Sequence, residues 1–246
     1  MAEEKETGPA AKEPRTGPVL GVFAHPDDAE ICAGGVLAKW AATGREVHLL
    51  ILTNGDRGSG DASRDRAELA ATRAEETKAA AQLLGLSSAR IIQNHDGELQ
   101  NTSATQEPVV RRIRELGAET VVSCDPTAVF FDNRYYNHSD HRMAGWVALD
   151  AAFPAAGNPH FLPEHLDQGL EPKDVADVWL GWSNEPNHVE DITGFFRTKI
   201  DALALHRSQL SEGIRFFEEF LGEDAVNEGK KLGVEHAEPF RVLDLS

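Results

Sequence analysis

Two apolar runs constrain this chain more than any other feature. Pro18-Val19-Leu20-Gly21-Val22-Phe23 and Glu46-Val47-His48-Leu49-Leu50-Ile51-Leu52-Thr53 are near-continuous hydrophobic segments of strand length. A strand that is apolar on both of its alternating faces must be covered on both, which is the condition of a parallel sheet. Between the two runs, Asp28 to about Ala42 reads as a helix stopped at Gly44. Strand, helix and strand make a right-handed crossover unit. The expected fold class is therefore α/β, a Rossmann-like and mostly parallel sheet with helices on both faces.

The alternation continues downstream. Asn54 to Asp61 is a glycine-rich polar loop that leaves the carboxyl end of the second strand. Arg66 to Leu84 is an Ala-rich helix with Gly85 as its C-cap, followed by a strand at about 89–93, a helix at about 106–116 and a strand over Thr120–Cys124. An aromatic-rich loop then leads to Tyr135-Tyr136-Asn137-His138-Ser139-Asp140-His141 and a helix carrying Met143, Trp146, Val147 and Leu149. Residues 154–175, broken by Pro154, Pro159, Pro163 and Pro172, read as an irregular lid or partner surface. Val178–Trp182 resumes as a strand, 194–221 is largely helical, and Phe240–Leu243 is a last strand. Residues 1–17, rich in Glu, Lys, Gly and Pro, read as a disordered tail, leaving 18–246 as a single domain.

The 246 residues carry 41 acidic against 24 basic side chains, a formal charge of −17. Such a field repels phosphate backbones and anionic headgroups, so nucleic acid and membrane surfaces are poor partners. No stretch approaches the roughly 18 apolar residues of a membrane span, and the first residues lack the apolar core of an export signal. Cys32 and Cys124 stand in no paired spacing and suit a reducing cytoplasm. Homo-oligomerisation is left open.

Chemistry concentrates at two strand-to-helix turns, the places where open α/β sheets put their ligands. The first carries His25, Asp27 and Asp28; the second carries His138, Asp140 and His141. Two imidazoles and a carboxylate, His25, Asp28 and His141, are the donors of a catalytic zinc site with its fourth position left to water. The same set also accepts iron, cobalt or nickel. Asp27 is then the spare carboxylate, suited to collect a proton, and a protonated His138, kept charged by Asp140, would stabilise a developing oxyanion. Ser139 or Asp140 would cap the helix that follows.

Ala24-His25-Pro26-Asp27-Asp28, with His138-Ser139-Asp140-His141 more than a hundred residues later, resembles the PIG-L/LmbE-type zinc-dependent deacetylases. The likeness extends over about residues 18–210. It implies a Rossmann-like scaffold and a hydrolase that removes an N-acetyl or similar acyl group from an N-acetylglucosamine-type amino sugar derivative by attack of metal-bound water. It implies that His25, Asp28 and His141 ligate zinc, that Asp27 is the general base and that His138 stabilises the tetrahedral intermediate. By the same likeness Arg73 grips substrate hydroxyls, Asp96 binds the sugar and Tyr136 lies near the acyl group, while Val189–Thr193, Lys199 and His206–Gln209 are similar to the family's closing signature. Ser139 stands where many members have proline.

Two other functions fit the same residues: an amidase of a sugar-thiol conjugate, and a non-catalytic sugar- or metal-binding module. A nucleotide-binding reading fails, since the glycines at 55, 58 and 60 have no phosphate-loop spacing and acids follow the first strand. Arg73 has an ordinary alternative too, an ion pair with Glu76. Of the remaining histidines, His48 reads as a satisfied core group, and His160, His165, His188 and His236 read as solvated loop residues.

Overall fold

A computed structural model describes residues 15–210 and 213–246. In chain order the elements are β1 (Val19–Phe23), α1 (Asp28–Ala42), β2 (Val47–Thr53), α2 (Arg66–Leu83), β3 (Ser88–Asn94), α3 (Ser103–Leu116), β4 (Thr120–Cys124), β5 (Phe130–Phe131), β6 (Tyr135–Tyr136), α4 (Ser139–Asp150), β7 (Asp177–Gly181), β8 (His188–Asp191), α5 (Phe196–Leu203), α6 (Ile214–Leu232) and β9 (Ala237–Asp244). Seven strands form one sheet in the order β3-β2-β1-β4-β7-β9-β8, and β5 pairs with β6 in a separate hairpin. Strands β3, β2, β1, β4 and β7 are parallel, and β9 runs antiparallel to both β7 and β8. The expected α/β fold is thus present, with an antiparallel edge added.

Period-2 alternation on β1 explains why both faces are covered. Leu20, Val22 and Ala24 join one core with Val109, Val110 and Ile113 of α3 and Val147 of α4, whereas Val19 and Phe23 join another with Val36, Leu37 and Trp40 of α1. Every residue of β1, β2 and β4 is buried. Strand order reverses at β1, which has β2 on one side and β4 on the other, so the crevice beyond the carboxyl ends of β1 and β4 is the switch point of the sheet. Helix α4 is drawn against that end of β4: a Cβ at Gly145 would clash with the Cys124 carbonyl oxygen.

Several expectations change. Helix α3 begins at Ser103 rather than 106, because Thr102 and Thr105 close a reciprocal capping box. Helix α6 runs on to Leu232 and ends at Gly233, whose φ of 72° is left-handed; residues 211 and 212, inside the expected helical stretch, lie outside the described residues. The aromatic loop contains the β5–β6 hairpin, turned by Asp132 and Asn133 at φ 49° and 54°, a conformation short polar side chains tolerate. Residues 1–14 of the expected tail are not described. Arg15 and Gly17 are tied down, Arg15 Nε to Asp177 at 3.0 Å and the Gly17 N–H to Glu119 at 3.0 Å.

The 154–175 segment is not a lid over the site. Arg114, in the last turn of α3, donates to the carbonyls of Ala155, Ala156, Asn158 and Phe161 at 3.0–3.1 Å. That anchors the segment at the amino edge of the sheet, where Ala176 N–H meets Glu119 O at 2.8 Å just before β4. Within it His165 is fully buried rather than solvated, with Nε2 3.0 Å from Glu107.

Candidate metal centre

Strand β1 ends at Phe23, and the next residues turn sharply into α1. Asp27 precedes the helix with φ 97°, a left-handed conformation costly for a residue with a Cβ. This turn sends the Asp27 and Asp28 carboxylates apart. Asp28 folds back to accept the backbone N–H of His25 at 2.8 Å, and its two oxygens lie 3.4 Å from His25 Nδ1 and 3.1 Å from His141 Nε2. Arg73 donates to the Pro26 carbonyl at 2.6 Å and lies 3.4 Å from Asp27 Oδ2.

The second turn leaves the β5–β6 hairpin and enters α4. His138 is itself the N-cap, its Nδ1 accepting the Asp140 N–H at 3.2 Å, so neither Ser139 nor Asp140 caps the helix as expected. Asp140 is buried, and its oxygens accept the N–H groups of Gly97 (2.7 Å) and Leu99 (3.3 Å) and lie 3.3 Å from His25 Nε2. Asp96 Oδ1 approaches the same nitrogen at 3.1 Å. The rings of His25, His138 and His141 form a triangle with centroids 4.8, 5.1 and 5.4 Å apart.

This donor set suits a divalent cation. Asp28 bridges the two imidazoles with different oxygens, Oδ2 lying 3.4 Å from His25 Nδ1 and Oδ1 3.1 Å from His141 Nε2. The ligand atoms of His25, His138 and His141 also lie within 4.8 Å of one another, as do those of His25, Asp96, His138 and Asp140. His25 Nε2 is buried without a hydrogen-bond partner of good geometry.

Charge distribution follows the same logic. Burial works against ionised Asp28, yet His141 and His25 outweigh it and hold its carboxyl well below the usual range. Burial opposes protonation of both imidazoles and is overcome by Asp28; His25 is raised well above its ordinary value and His141 to about 9. Asp27 moves the other way: burial pushes it up to about 6, against the pull of Arg73. His138 is lowered, first by burial and then by the His25 and His141 charges. It is therefore neutral near pH 7, rather than charged by Asp140, and because Nδ1 accepts a backbone N–H its proton sits on Nε2.

Of the residues expected at the substrate, Asp96 borders the centre, and Tyr136 is 60 % exposed on the hairpin with its hydroxyl accepting from Arg142 at 2.7 Å. Arg73 does not reach outward. It is 3 % exposed and spends its guanidinium on the carbonyls of Gly55 and Pro26 and on Asp27, while Glu76, its alternative partner, accepts from Ser208. Sequence reading missed Asn137, Trp182 and Glu30, the buried partner (3.4 Å) of the His206 already noted in the closing signature. Trp182 packs edge-on to His141 at 5.5 Å, and its place just past β7, at the carboxyl edge, was the signal that marks it.

Fold and site together define an α/β enzyme of the amide-hydrolase class with a His/Asp centre able to hold a metal ion. Residues 20–152 match the family described as "PIG-L: GlcNAc-PI de-N-acetylase", and the chain belongs to that family. It is similar to a diacetylchitobiose deacetylase of Thermococcus kodakarensis, at 33% identity over 92% of this chain and 82% of the relative. A 1D-myo-inositol 2-acetamido-2-deoxy-alpha-D-glucopyranoside deacetylase of Streptomyces scabiei is 31% identical over 82% of this chain and 67% of its own length. Among solved structures, the N,N'-diacetylchitobiose deacetylase of Pyrococcus horikoshii in complex with an inhibitor superposes with TM-score 0.85 at 31% identity, covering 92% of this chain and 84% of that one. No helix among the described residues is long and apolar enough to cross a membrane.

Proposed function

We propose that this protein is a zinc-dependent deacetylase that removes an N-acetyl or similar acyl group from an N-acetylglucosamine-type amino sugar derivative, with residues 18–246 acting as one catalytic unit. The observation that carries the reading is the convergence of His25, His138 and His141, whose ligand atoms lie within 4.8 Å of one another, with Asp28 3.4 and 3.1 Å from the His25 and His141 nitrogens and Asp27 next to it in the same turn. When bound, a divalent cation there supplies Lewis acidity to the amide carbonyl and lowers the pKa of water.

This chain's own residues supply the proton traffic. Asp27, raised to about 6, is ionised at neutral pH yet basic enough to take a proton from the attacking water. Water oxygen bonds to the carbonyl carbon, the C–N bond breaks, and the proton held on Asp27 passes to the departing nitrogen, giving a free amine and a carboxylic acid that loses its remaining proton to solvent. Arg73 fixes the position of Asp27, and the Nε2–H of neutral His138 is a donor for the carbonyl oxygen as it gains charge. Asp96 is the sugar contact and Tyr136 lies near the acyl group. Asp140 holds the 97–99 loop and His25 in place, and so acts on the reaction through them. With two cysteines in no paired spacing, a reducing, cytoplasmic setting fits the chain.

The test is acetate release from N,N'-diacetylchitobiose, an inositol-linked N-acetylglucosamine and an acylated sugar-thiol conjugate, before and after chelation and zinc add-back. Chelator-sensitive release restored by zinc is expected, with kcat/KM ranking the three substrates. Absence of release from all three in zinc-loaded protein would overturn the reading.

A further inference from the structure

We propose that Asn137 is a positioning residue that fixes which nitrogen of His141 faces the metal. The inference rests on the reading of His141 as a ligand. Asn137 is fully buried between the aromatic hairpin and α4. Its backbone N–H donates to the Val129 carbonyl at 2.9 Å, and its side-chain Nδ2 donates to the Ala128 carbonyl at 2.8 Å.

That second bond settles the orientation of the amide. A backbone carbonyl can only accept, so the group facing Ala128 is the NH2 and the group at the other end is the oxygen. Asn137 Oδ1 lies 2.9 Å from His141 Nδ1. An amide oxygen can only accept as well, so Nδ1 carries its proton whatever happens at the other side of the ring. Any proton a cation displaces is then the one on Nε2, the nitrogen 3.1 Å from Asp28. Histidine ligands usually need such an outer partner, since an imidazole free to change tautomer or rotate presents its lone pair only part of the time.

The partner here is a neutral amide, and the two ligand histidines differ in this respect. His25 turns its Nε2 toward the carboxylates of Asp96 and Asp140, whereas among the described residues the Nδ1 of His141 meets the amide of Asn137. The amide also ties the ligand to the substrate rim. Ala128 and Val129 lead directly into β5, so the hairpin bearing Phe130 and Tyr136 and the ring of His141 share one buried side chain.

Zinc affinity, measured by competition with a chelating dye, tests the assignment without reference to turnover. Asn137→Leu removes the acceptor and the donor, and is expected to weaken zinc binding by about 10–100-fold. Asn137→Asp also loses the donation to Ala128 but keeps the acceptor, and is expected to bind zinc within about threefold of the parent or more tightly. A residue that merely anchors the hairpin would be damaged alike by both changes; equal weakening, no weakening, or weakening confined to the aspartate variant overturns the proposal. Asn137→Ala takes the place of the leucine variant if that one does not fold. His141→Ala is the control for the ligand reading: unchanged zinc affinity there sinks the site itself, whereas lost affinity there with a normal Asn137→Leu sinks only the role of Asn137.

Discussion

Helix α1 carries two buried clusters of charge less than two turns apart, and they have opposite characters. At its first turn stand Asp28 and Glu30, among His25, His141 and His206. Further along, Glu238 accepts the N–H groups of Gly35 (3.0 Å) and Val36 (2.8 Å) while Lys199 donates to Glu238 (2.7 Å) and to the Ile31 carbonyl (3.0 Å). Ile31 and Gly35 are four residues apart, one acceptor–donor pair of the helical ladder, so the ion pair is wedged against that rung. Every polar atom of the Lys199–Glu238 pair has a partner. The first-turn cluster instead leaves Glu30 Oε1 and His206 Nδ1 without one, while His25 Nε2 and His206 Nε2 meet carboxylates at 3.1–3.4 Å but make no well-formed hydrogen bond. A buried cluster whose hydrogen-bonding capacity is closed serves the fold; one left open, with donors converging at ligand spacing, is built to receive something.

The contrast breaks most sharply at His141. His141→Ala should abolish metal binding and turnover together while the protein still unfolds cooperatively, as metal analysis beside a urea titration would record. Asp27→Asn should leave the metal content unchanged and lower kcat/KM by about 10²–10⁴-fold; near-normal rates would remove Asp27 as the base. Lys199→Met should do the reverse, leaving Glu238 buried without its cation and costing about 3–5 kcal/mol of stability, with the rate per folded molecule unchanged. A Lys199 variant of normal stability and lost turnover would erase the distinction between the clusters.

The smallest expected effect is on pH dependence. Asp27 must be ionised to accept a proton, so kcat/KM should fall as pH drops through its pKa, about tenfold per unit. Its raised value of about 6 sets the upper bound for this acid limb, because a cation alongside can only lower it. A limb well above 6, or one that persists in Asp27→Asn, would assign the titration to another group.

Much of the site was legible before the fold because its residues arrive in two tight groups. His25, Asp27 and Asp28 share one strand-to-helix turn and His138, Asp140 and His141 another, and parallel-sheet topology sends both turns to one edge. Directions were not legible. Arg73 stands on α2 with polar neighbours, and only its 3 % exposure and the nearness of Gly55, whose Cβ would lie 2.6 Å from the guanidinium, turn it inward to Asp27. Asp140 was expected to hold His138 and holds the 97–99 loop instead. The closing signature also acquired its meaning from packing: Ile192 lies where a Cβ at Gly35 would clash at 2.6 Å, Lys199 meets Glu238, and Ser208 caps Glu76.

Local order in the chain was enough to specify strands, helices and the two clusters of donors, since hydrophobic period and turn chemistry act over a few residues. Contacts between residues far apart decided much of the rest: that His141 Nε2 meets Asp28, that Asp27 stands against Arg73, and what packs on the adjacent glycines at 34 and 35. Those are matters of ångströms between segments that approach each other only when the sheet closes, and hydrogen bonds and burial energies change steeply over such distances.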